Sequence, residues 1–354
     1  MATLEEGKLE IGKTIEALQE KYWRISDAIW TYAELPLEEY KSAKLLANTL
    51  ESAGFKIEMG TGGMPTAFVA SWSNGTGKPV IGFLAEYDAL PMLSQKGGAA
   101  KHDPVVPGAP GHGCGHNIHG NTGLGGALAV RYAMEEKDLP GTIRFFGCPA
   151  EEMLSGKVWM VREGVFDSVD ACLSHHPSEL NTADLMSCNA CKAIKFHFRG
   201  KTAHAAGSPE QGRSALDAIE LMNVGVNFLR EHVIDKARIH YVIEEGGGQP
   251  NVVPDYARSS YYVRAPEMDQ LEPIYERVVK VAEGAALMTE TEMEVEFVKC
   301  SYNLIPNRAM SEAIVANMRE IGAPEYTEEE LEFARKIGET IPRQEKMNSL
   351  RKSK

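Results

Sequence analysis

The sequence has few of the features that mark secreted, membrane-spanning or nucleic-acid-binding proteins. Its six cysteines are too sparse in 354 residues for a disulfide scaffold. It has no apolar run of the roughly 18 residues that a membrane span requires, and it opens on charges rather than on an apolar signal, so we expect a cytoplasmic protein. Basic residues are in the minority: 37 against 50 acidic residues leave a formal net charge of −13, which argues against nucleic acid and anionic membranes as partners.

The composition is instead that of a soluble globular protein, and the length favours two domains. In the first half, segments with helical periodicity alternate with short apolar segments. This pattern predicts an α/β domain with a mostly parallel sheet and helices on both faces. The predicted helices cover residues 11–32, 37–53 and 122–134, and the predicted strands cover 66–72, 80–84, 142–146 and 171–173.

The periodicity changes near residue 188. From there the order is strand, helix, strand, strand, helix, strand, which is the ferredoxin-like βαββαβ unit. The six elements are predicted at 192–198, 214–231, 237–244, 257–264, 272–286 and 292–298. We therefore expect one domain of residues 1–187 and 304–354, interrupted by a smaller domain of residues 188–303.

Polar side chains directly follow three of the predicted strands. Ligands of an open parallel sheet bind outside the carboxyl ends of its strands. We therefore expect these side chains to meet at one edge of the sheet and to form the functional site. They are two acids after 80–84, two acids after 142–146 and two imidazoles after 171–173, namely Glu86 and Asp88, Glu151 and Glu152, and His175 and His176.

The segment 111–119 carries three imidazoles and a thiol among glycines. The glycines free the backbone to fold tightly, so that His112, Cys114, His116 and His119 can approach one centre. Thiolate and imidazole suit a borderline divalent ion such as zinc, and imidazole with carboxylate also accepts manganese. This density of ligand types favours a metal site over a glycine-rich turn with solvated histidines.

Glu151 and Glu152 are adjacent carboxylates, which repel each other when they are buried without a cation. A divalent cation removes that repulsion for one of them. The other can take a proton from the attacking water and return it to the leaving nitrogen. This division of roles predicts metal-dependent hydrolysis of an amide bond. The alternative is two exposed acids ahead of a helix N-terminus, where acids are common.

Three further features stay open from the sequence. Consecutive residues of an extended strand point to opposite sides, so at most one of His175 and His176 is a ligand. Asp88 either orients a ligating histidine or bridges to the metal, unless it only forms a turn before a proline. The single pair Cys188 and Cys191 lacks the second pair of a zinc site, and we interpret it as incidental.

Together, the segments 86–91, 112–119 and 149–152 with His176 resemble the aminoacylase/glutamate-carboxypeptidase superfamily of two-metal amidohydrolases. The cysteine in the cluster resembles the branch that acts on indole-acetyl-amino acids and aminobenzoyl-glutamate. The resemblance runs from about residue 23 to about residue 350. It implies a catalytic α/β domain and a ferredoxin-like lid domain that forms homodimers, with a homologous A-type subunit as a further candidate partner.

The resemblance also implies roles for individual residues. Cys114, His116, Glu152 and His176 are expected to bind two divalent metal ions, either manganese or zinc, and Glu151 is expected to be the general base. Such a site is expected to cleave the amide bond of an N-acyl amino acid, an aminobenzoyl-glutamate-like compound or a dipeptide.

Three residues of the predicted lid domain have counterparts in the superfamily. His204 resembles the histidine that stabilises the oxyanion, which an imidazolium can do. Asn251 and Arg264 resemble the positions that hold the substrate carboxylate, for which a carboxamide and a guanidinium are suitable donors. Each also has a simpler interpretation: a loop histidine, a turn asparagine and a charged residue at a strand end.

The sequence departs from the superfamily pattern at three places. Asn117 stands where the cluster usually has aspartate, and Glu86 stands where aspartate or histidine is more typical. The ten histidines end at His240, whereas the superfamily takes its last metal ligand from a histidine late in the chain. We therefore expect the catalytic domain to be truncated at Lys354. The competing hypothesis is a non-catalytic subunit or fragment that binds metal and dimerises without that ligand.

Overall fold

A mixed five-stranded sheet forms the centre of the first half of the chain in the computed structural model, which describes residues 4–153, 155–183, 185 and 187–352. Its strands are β1 (Lys56–Met59), β2 (Phe68–Asn74), β3 (Val80–Ala85), β4 (Gly141–Gly147) and β5 (Ala171–Leu173), in the spatial order β1-β2-β4-β3-β5. The accompanying helices are α1 (Leu4–Tyr32), α2 (Tyr40–Ser52), α3 (His116–Glu136) and α4 (Gly156–Arg162).

The predicted α/β architecture is confirmed, and the parallel arrangement holds for β3 with both β4 and β5. At the other edge, β1 with β2 and β2 with β4 are antiparallel pairs, so the sheet is mixed rather than mostly parallel. The connection between β2 and β3 covers only residues 75–79. A parallel crossover takes a dozen or more residues, so β3 has to run opposite to β2.

The last residues of β4 are buried on both faces of the sheet. Phe145 packs with α1, α2 and α3 in one apolar cluster, whereas Phe146 packs in a second cluster with Met160 of α4. A strand end that is covered on both faces has no room for charged side chains. Charged groups therefore follow the strand, beyond Gly147.

Helix α3 begins at His116, six residues earlier than the predicted start at residue 122. The glycines in 116–126 disfavour a helix by intrinsic propensity, which is why the sequence pattern missed its first turns. They serve close packing instead: a Cβ at Gly120 would lie 2.7 Å from the carbonyl oxygen of Glu86, and one at Gly123 would lie 2.8 Å from that of Leu84. Tertiary contact with β3 thus overrides propensity and places the start of α3 beside the polar strand ends.

Residues Thr182–Ala323 form a second compact unit, and residues Met1–Asn181 with Pro324–Lys354 form the first. The second unit has an antiparallel sheet in the spatial order β7-β8-β6-β9, which confirms the predicted ferredoxin-like topology. Its elements are β6 (Ala190–Arg199), α5 (Ala215–Leu229), β7 (Arg238–Glu245), β8 (Tyr256–Ala265), α6 (Met268–Thr289), β9 (Glu292–Ser301) and α7 (Arg308–Ile321).

Two helices end the chain, α8 (Glu328–Thr340) and α9 (Arg343–Lys352). Thr327 begins α8 with a capping box, in which its hydroxyl accepts the Glu330 N–H while the Glu330 carboxylate accepts the Thr327 N–H. Within the described residues, none of the helices combines the length and hydrophobicity that crossing a bilayer requires.

Candidate active site

The polar residues predicted from the strand ends lie together at the carboxyl edge of β3, β4 and β5. The start of α3 reaches the same edge, because Gly115 in the left-handed conformation (φ 79°) turns the chain from the glycine-rich segment into the helix. The group consists of Glu86, Asp88, Cys114, His116, Glu151, Glu152 and His176.

His116 is buried, and its two ring nitrogens have different surroundings. Nδ1 lies 2.9 Å from Asp88 Oδ1 and 3.0 Å from the Asp88 carbonyl oxygen, so Nδ1 carries the proton and Nε2 keeps its lone pair in the neutral ring. Nε2 faces three carboxylates, at 3.2 Å from Glu86 Oε2, 3.8 Å from Glu151 Oε2 and 4.0 Å from Glu152 Oε1. In the described structure, Nε2 and the nearest oxygens of Glu86 and Glu152 are buried without a hydrogen-bond partner.

His176 has the same arrangement on the other side of the group. Its Nδ1 lies 2.9 Å from the Pro177 carbonyl oxygen, which can only accept, so Nδ1 carries the proton. Its Nε2 lies 3.4 Å from the Cys114 Sγ atom. A histidine that is fixed through Nδ1 and free at Nε2 is oriented as a metal ligand.

The spacing of these donor atoms fits a divalent metal ion. Two sets of three residues each offer atoms that all lie within 4.8 Å of one another: Cys114, His116 and His176, and Glu86, His116 and Glu151. Two donors that share a zinc ion at tetrahedral angles lie about 3.3–3.8 Å apart, given bonds of about 2.0–2.3 Å. The separations of 3.2 and 3.4 Å are close to this range.

The electrostatics of the group also favour a cation. Burial, and next the carboxylate of Glu152, raises the pKa of the Cys114 thiol to about 12. Burial, and next the charge of Glu86, raises the pKa of Glu151. Burial alone would lower the pKa of His116, but Asp88 and the neighbouring carboxylates raise it overall. The site thus attracts positive charge, and a divalent cation would reverse the shifts of the thiol and the carboxyl.

Lys157, in the first turn of α4, belongs to the site although no sequence pattern indicated it. Its ammonium donates a hydrogen bond to Glu86 Oε1 and forms an ion pair with that carboxylate. Burial would raise the pKa of Glu86, but the charge of Lys157 and its hydrogen bond hold it below its usual value. Glu86 therefore stays ionised, with one oxygen bound to Lys157 and the other facing His116.

The other two histidines of the cluster, His112 and His119, form hydrogen bonds with backbone groups and a serine hydroxyl. His119 Nδ1 accepts the Glu86 N–H at 2.9 Å, and its Nε2 lies 3.1 Å from Ser174 Oγ. Burial lowers the pKa of His119 to about 4, so the ring is neutral and both nitrogens are engaged. His112 Nε2 donates to the Ile29 carbonyl oxygen at 3.0 Å. Among the described residues, the two sets of close donor atoms contain His116 and His176 but neither His112 nor His119.

The remaining predicted site residues lie in the second unit, where His204 and Asn251 are on adjacent segments. His204 forms a bridge with Val252, and the Asn251 carbonyl oxygen accepts the Ala205 N–H at 3.0 Å. His204 Nδ1 accepts the N–H of Gly207 at 3.0 Å, so the proton of the neutral ring is on Nε2. In this tautomer, His204 presents its Nε2–H as a hydrogen-bond donor.

Arg264 lies near the end of β8, with its guanidinium over the Tyr262 ring at 5.4 Å from the centroid. Its Nε atom is buried and has no hydrogen-bond partner among the described residues. On the same face of that strand, Arg258 instead pairs with Glu244 at 2.7 Å. Arg264 has no such carboxylate partner among the described residues, so its charge remains available to an anion.

Comparison with known proteins places this geometry in a family. Residues 82–341 match Peptidase family M20/M25/M40. The chain is 49% identical over 345 residues to the B subunit of p-aminobenzoyl-glutamate hydrolase from Escherichia coli (strain K12), covering 96% of this chain and 70% of that protein. It is 32% identical over 333 residues to Xaa-Arg dipeptidase of Mus musculus, covering 91% of this chain and 73% of that protein.

A solved structure shows the same fold. It is the aminobenzoyl-glutamate utilization protein from Klebsiella pneumoniae, with a TM-score of 0.71 and 21% sequence identity over 93% of this chain and 90% of that chain. The superfamily and the hydrolase class that the motifs indicated are confirmed, and the two relatives are named as a hydrolase and a dipeptidase. By its sequence match over residues 82–341, the chain belongs to peptidase family M20/M25/M40.

Proposed function

We propose that this chain is a metal-dependent amidohydrolase that cleaves the amide bond of a small molecule bearing a free carboxylate. One observation carries the proposal. His116 and His176 each have Nδ1 fixed by an oxygen, and each presents Nε2 to the acids or the thiol of one site. That is the arrangement of a metal centre rather than of a solvated histidine cluster.

In this proposal, Cys114, His116, Glu152 and His176 hold two divalent cations, either manganese or zinc. When bound, the cations polarise the amide carbonyl and make water more acidic. Asp88 supports two of the ligands at once. Its Oδ1 orients His116, and its Oδ2 accepts the backbone N–H of Glu152 at 2.8 Å. Asp88 is therefore a positioning residue for the centre.

Glu151 is the proposed general base. Its raised pKa, caused by burial and by Glu86, suits a group that takes a proton from the attacking water and returns it to the leaving nitrogen. The distances to His116 Nε2, 3.8 Å from Glu151 and 4.0 Å from Glu152, are similar. The division of roles between the two acids therefore rests on the motif.

For the substrate, we propose an N-acyl amino acid, an aminobenzoyl-glutamate-like compound or a dipeptide, in line with the substrates in the relatives' names. Arg264 and Asn251 would hold its carboxylate, and the Nε2–H of His204 would stabilise the oxyanion. The lack of a carboxylate partner for Arg264 among the described residues, in contrast to Arg258, supports the first of these roles.

We further propose that residues 188–303 act as a lid and form a homodimer, and that residues 1–187 and 304–354 form the metal-binding catalytic domain. The hydrolase relative from Escherichia coli is named as one of the subunits of its enzyme, which supports assembly with a homologous A-type subunit. Size measurement of the chain alone, and together with such a subunit, would test both partnerships.

The function is tested by removing and restoring the metal. The chain is treated with a chelator, dialysed, and reloaded with Mn²⁺ or Zn²⁺, and the bound metal is counted. We expect about two ions per chain and hydrolysis of p-aminobenzoyl-glutamate or an Xaa-Arg dipeptide in the reloaded sample only. Hydrolysis without metal would overturn the proposal. Bound metal without hydrolysis of any substrate in the class would favour the non-catalytic hypothesis.

A further inference from the structure

Ala150, directly before the two acids, has a backbone conformation that alanine rarely adopts. Its φ is 55°, in the left-handed region, where the Cβ of a non-glycine residue crowds the following carbonyl oxygen. The surrounding turn is tight, since a Cβ at Gly156 would overlap the carbonyl oxygen of Pro149. A strained residue in an active site persists only where its surroundings hold it in place.

Glu39 holds Ala150 in place, although the two residues are 111 positions apart in the sequence. The side chain is fully buried at the N-terminus of α2, and its Oε1 accepts the Ala150 N–H at 2.8 Å. Its Oε2 accepts the Thr66 hydroxyl at 2.8 Å. The Thr66 carbonyl oxygen in turn accepts a hydrogen bond from the Tyr87 hydroxyl at 2.7 Å. Tyr87 is fully buried and stands between Glu86 and Asp88 in the sequence.

A second carboxylate holds the other side of the acid pair. Asp88 Oδ2 accepts the N–H of Glu152, as Glu39 Oε1 accepts that of Ala150. The backbone on both sides of Glu151 is therefore fixed by a carboxylate from another element. Asp88 also contacts His116, a metal-ligand candidate. The hydrogen bonds of the Glu39 side chain to Ala150 and Thr66, by contrast, involve no metal-ligand candidate.

We propose that Glu39 is a positioning residue: it holds Ala150 in the left-handed conformation and so directs Glu151 and Glu152 into the site. The inference rests on the proposed function, because the residues that Glu39 is inferred to position are the proposed base, Glu151, and a proposed metal ligand, Glu152. Glu39 acts through the backbone alone and takes no part in proton transfer.

A purely structural explanation fits Glu39 less well. Both hydrogen-bond donors above are neutral groups, and burial raises the pKa of the Glu39 carboxyl. Burial of a carboxylate without a cation costs free energy. Apolar side chains at both position 39 and position 66 would avoid that cost, and only the Ala150 N–H would then lose its acceptor. A residue that lowers stability at such a position is expected where function requires a fixed geometry.

The test compares two substitutions of Glu39, one that keeps the length of the side chain and one that keeps its charge. In Glu39→Gln, the side chain keeps its length, so an amide oxygen can still accept the Ala150 N–H while the NH₂ group donates to Thr66. In Glu39→Asp, the charge is kept but the carboxylate is one methylene shorter and cannot reach both donors. We expect Glu39→Gln to stay within about 3-fold of the parent chain in kcat and in metal affinity. We expect Glu39→Asp to lose about 10–100-fold in both, with little change in KM.

Metal affinity, measured by competition with a chelator, is a readout that does not depend on hydrolysis. If the parent chain hydrolyses no amide, the proposed function fails, but the order of metal affinities still tests Glu39. Thr66→Val is the matched control, because it removes a hydrogen bond from the same carboxylate and leaves the Ala150 contact. It should lower the melting temperature without lowering kcat more than about 3-fold.

A second variant tests the strain directly. Glycine adopts a positive φ without cost, so adding Ala150→Gly to Glu39→Asp should recover at least about 3-fold in kcat and metal affinity. The proposal is overturned if the glutamine and aspartate variants lose activity and metal affinity equally, because charge or general stability would then explain the effect. It is also overturned if Thr66→Val loses as much kcat as Glu39→Asp.

Discussion

The two sheets of this protein differ in where they allow polar side chains. The end of β4 is buried on both faces, and its acids come only after the strand, at 151 and 152. Strand β8 of the second unit alternates instead: Ala257, Ser259, Tyr261, Val263 and Ala265 are buried, and the residues between them are half-exposed. The first pattern belongs to a sheet covered on both faces and the second to a sheet covered on one.

This difference decides how each unit can carry function. In the first unit, polar groups from three strands and one helix converge past the strand ends, where the donors of one site meet within a few ångströms. In the second unit, arginine and tyrosine side chains are displayed along one face of the sheet. The first arrangement suits a metal centre, and the second suits contact with part of a ligand.

The largest effect is expected at the strand-end site of the first unit. Replacing Glu151 with glutamine keeps the shape of the side chain but removes its ability to take a proton, so kcat should fall about 10²–10⁴-fold. Bound metal should stay at the parent level. Steady-state kinetics and metal analysis measure the two quantities, with Glu163→Gln as a control at an exposed acid of the same unit.

A loss of bound metal in Glu151→Gln would show that Glu151 is the metal ligand and would leave Glu152 as the candidate base. Turnover at the parent level would remove Glu151 from the chemistry altogether.

A smaller effect is expected on the displayed face of the second unit. Arg264→Ala should raise KM for p-aminobenzoyl-glutamate by about 10–100-fold, because a charge-assisted hydrogen bond contributes about 1.5–3 kcal/mol. The KM for its dimethyl ester, which lacks the free carboxylates, should change little. Arg258→Ala is the matched control on the same face of β8, since that arginine pairs with Glu244. Equal effects of Arg264→Ala on both substrates would exclude it from carboxylate binding.

The smallest effect concerns stability and tests the alternation in β8 itself. Val263 is fully buried, and Val263→Ala should lower the free energy of unfolding by about 1.5–3 kcal/mol through lost apolar contact. Ser260→Ala, on the half-exposed face, should stay within about 0.5 kcal/mol of the parent chain. Chemical denaturation measures both changes, and equal losses would contradict the assignment of the two faces.

Much of the fold was predictable because the periodicity of apolar residues is local. The βαββαβ order of the second unit and the strands that end before residues 86, 151 and 176 followed from it. The early start of α3 did not, because its glycines are explained only by their contact with β3. The antiparallel edge was missed, although the seven residues between the predicted strands 66–72 and 80–84 are too few for a parallel crossover.

The sequence by itself determined which chemical groups are available and that they follow strand ends: acids, imidazoles and a thiol with the properties of metal ligands. Only the tertiary structure decided which of them are free to bind. Asp88 and Pro177 fix the protons of His116 and His176, whereas Ser174 and the Glu86 backbone engage His119.

The same holds for the supporting residues. Lys157 forms a hydrogen bond with Glu86, which is 71 residues away in the sequence, and Glu39 forms one with Ala150, which is 111 residues away. A hydrogen bond depends on distance and direction in space, which no local pattern encodes, so a single lysine or glutamate in the sequence shows neither its burial nor its partner.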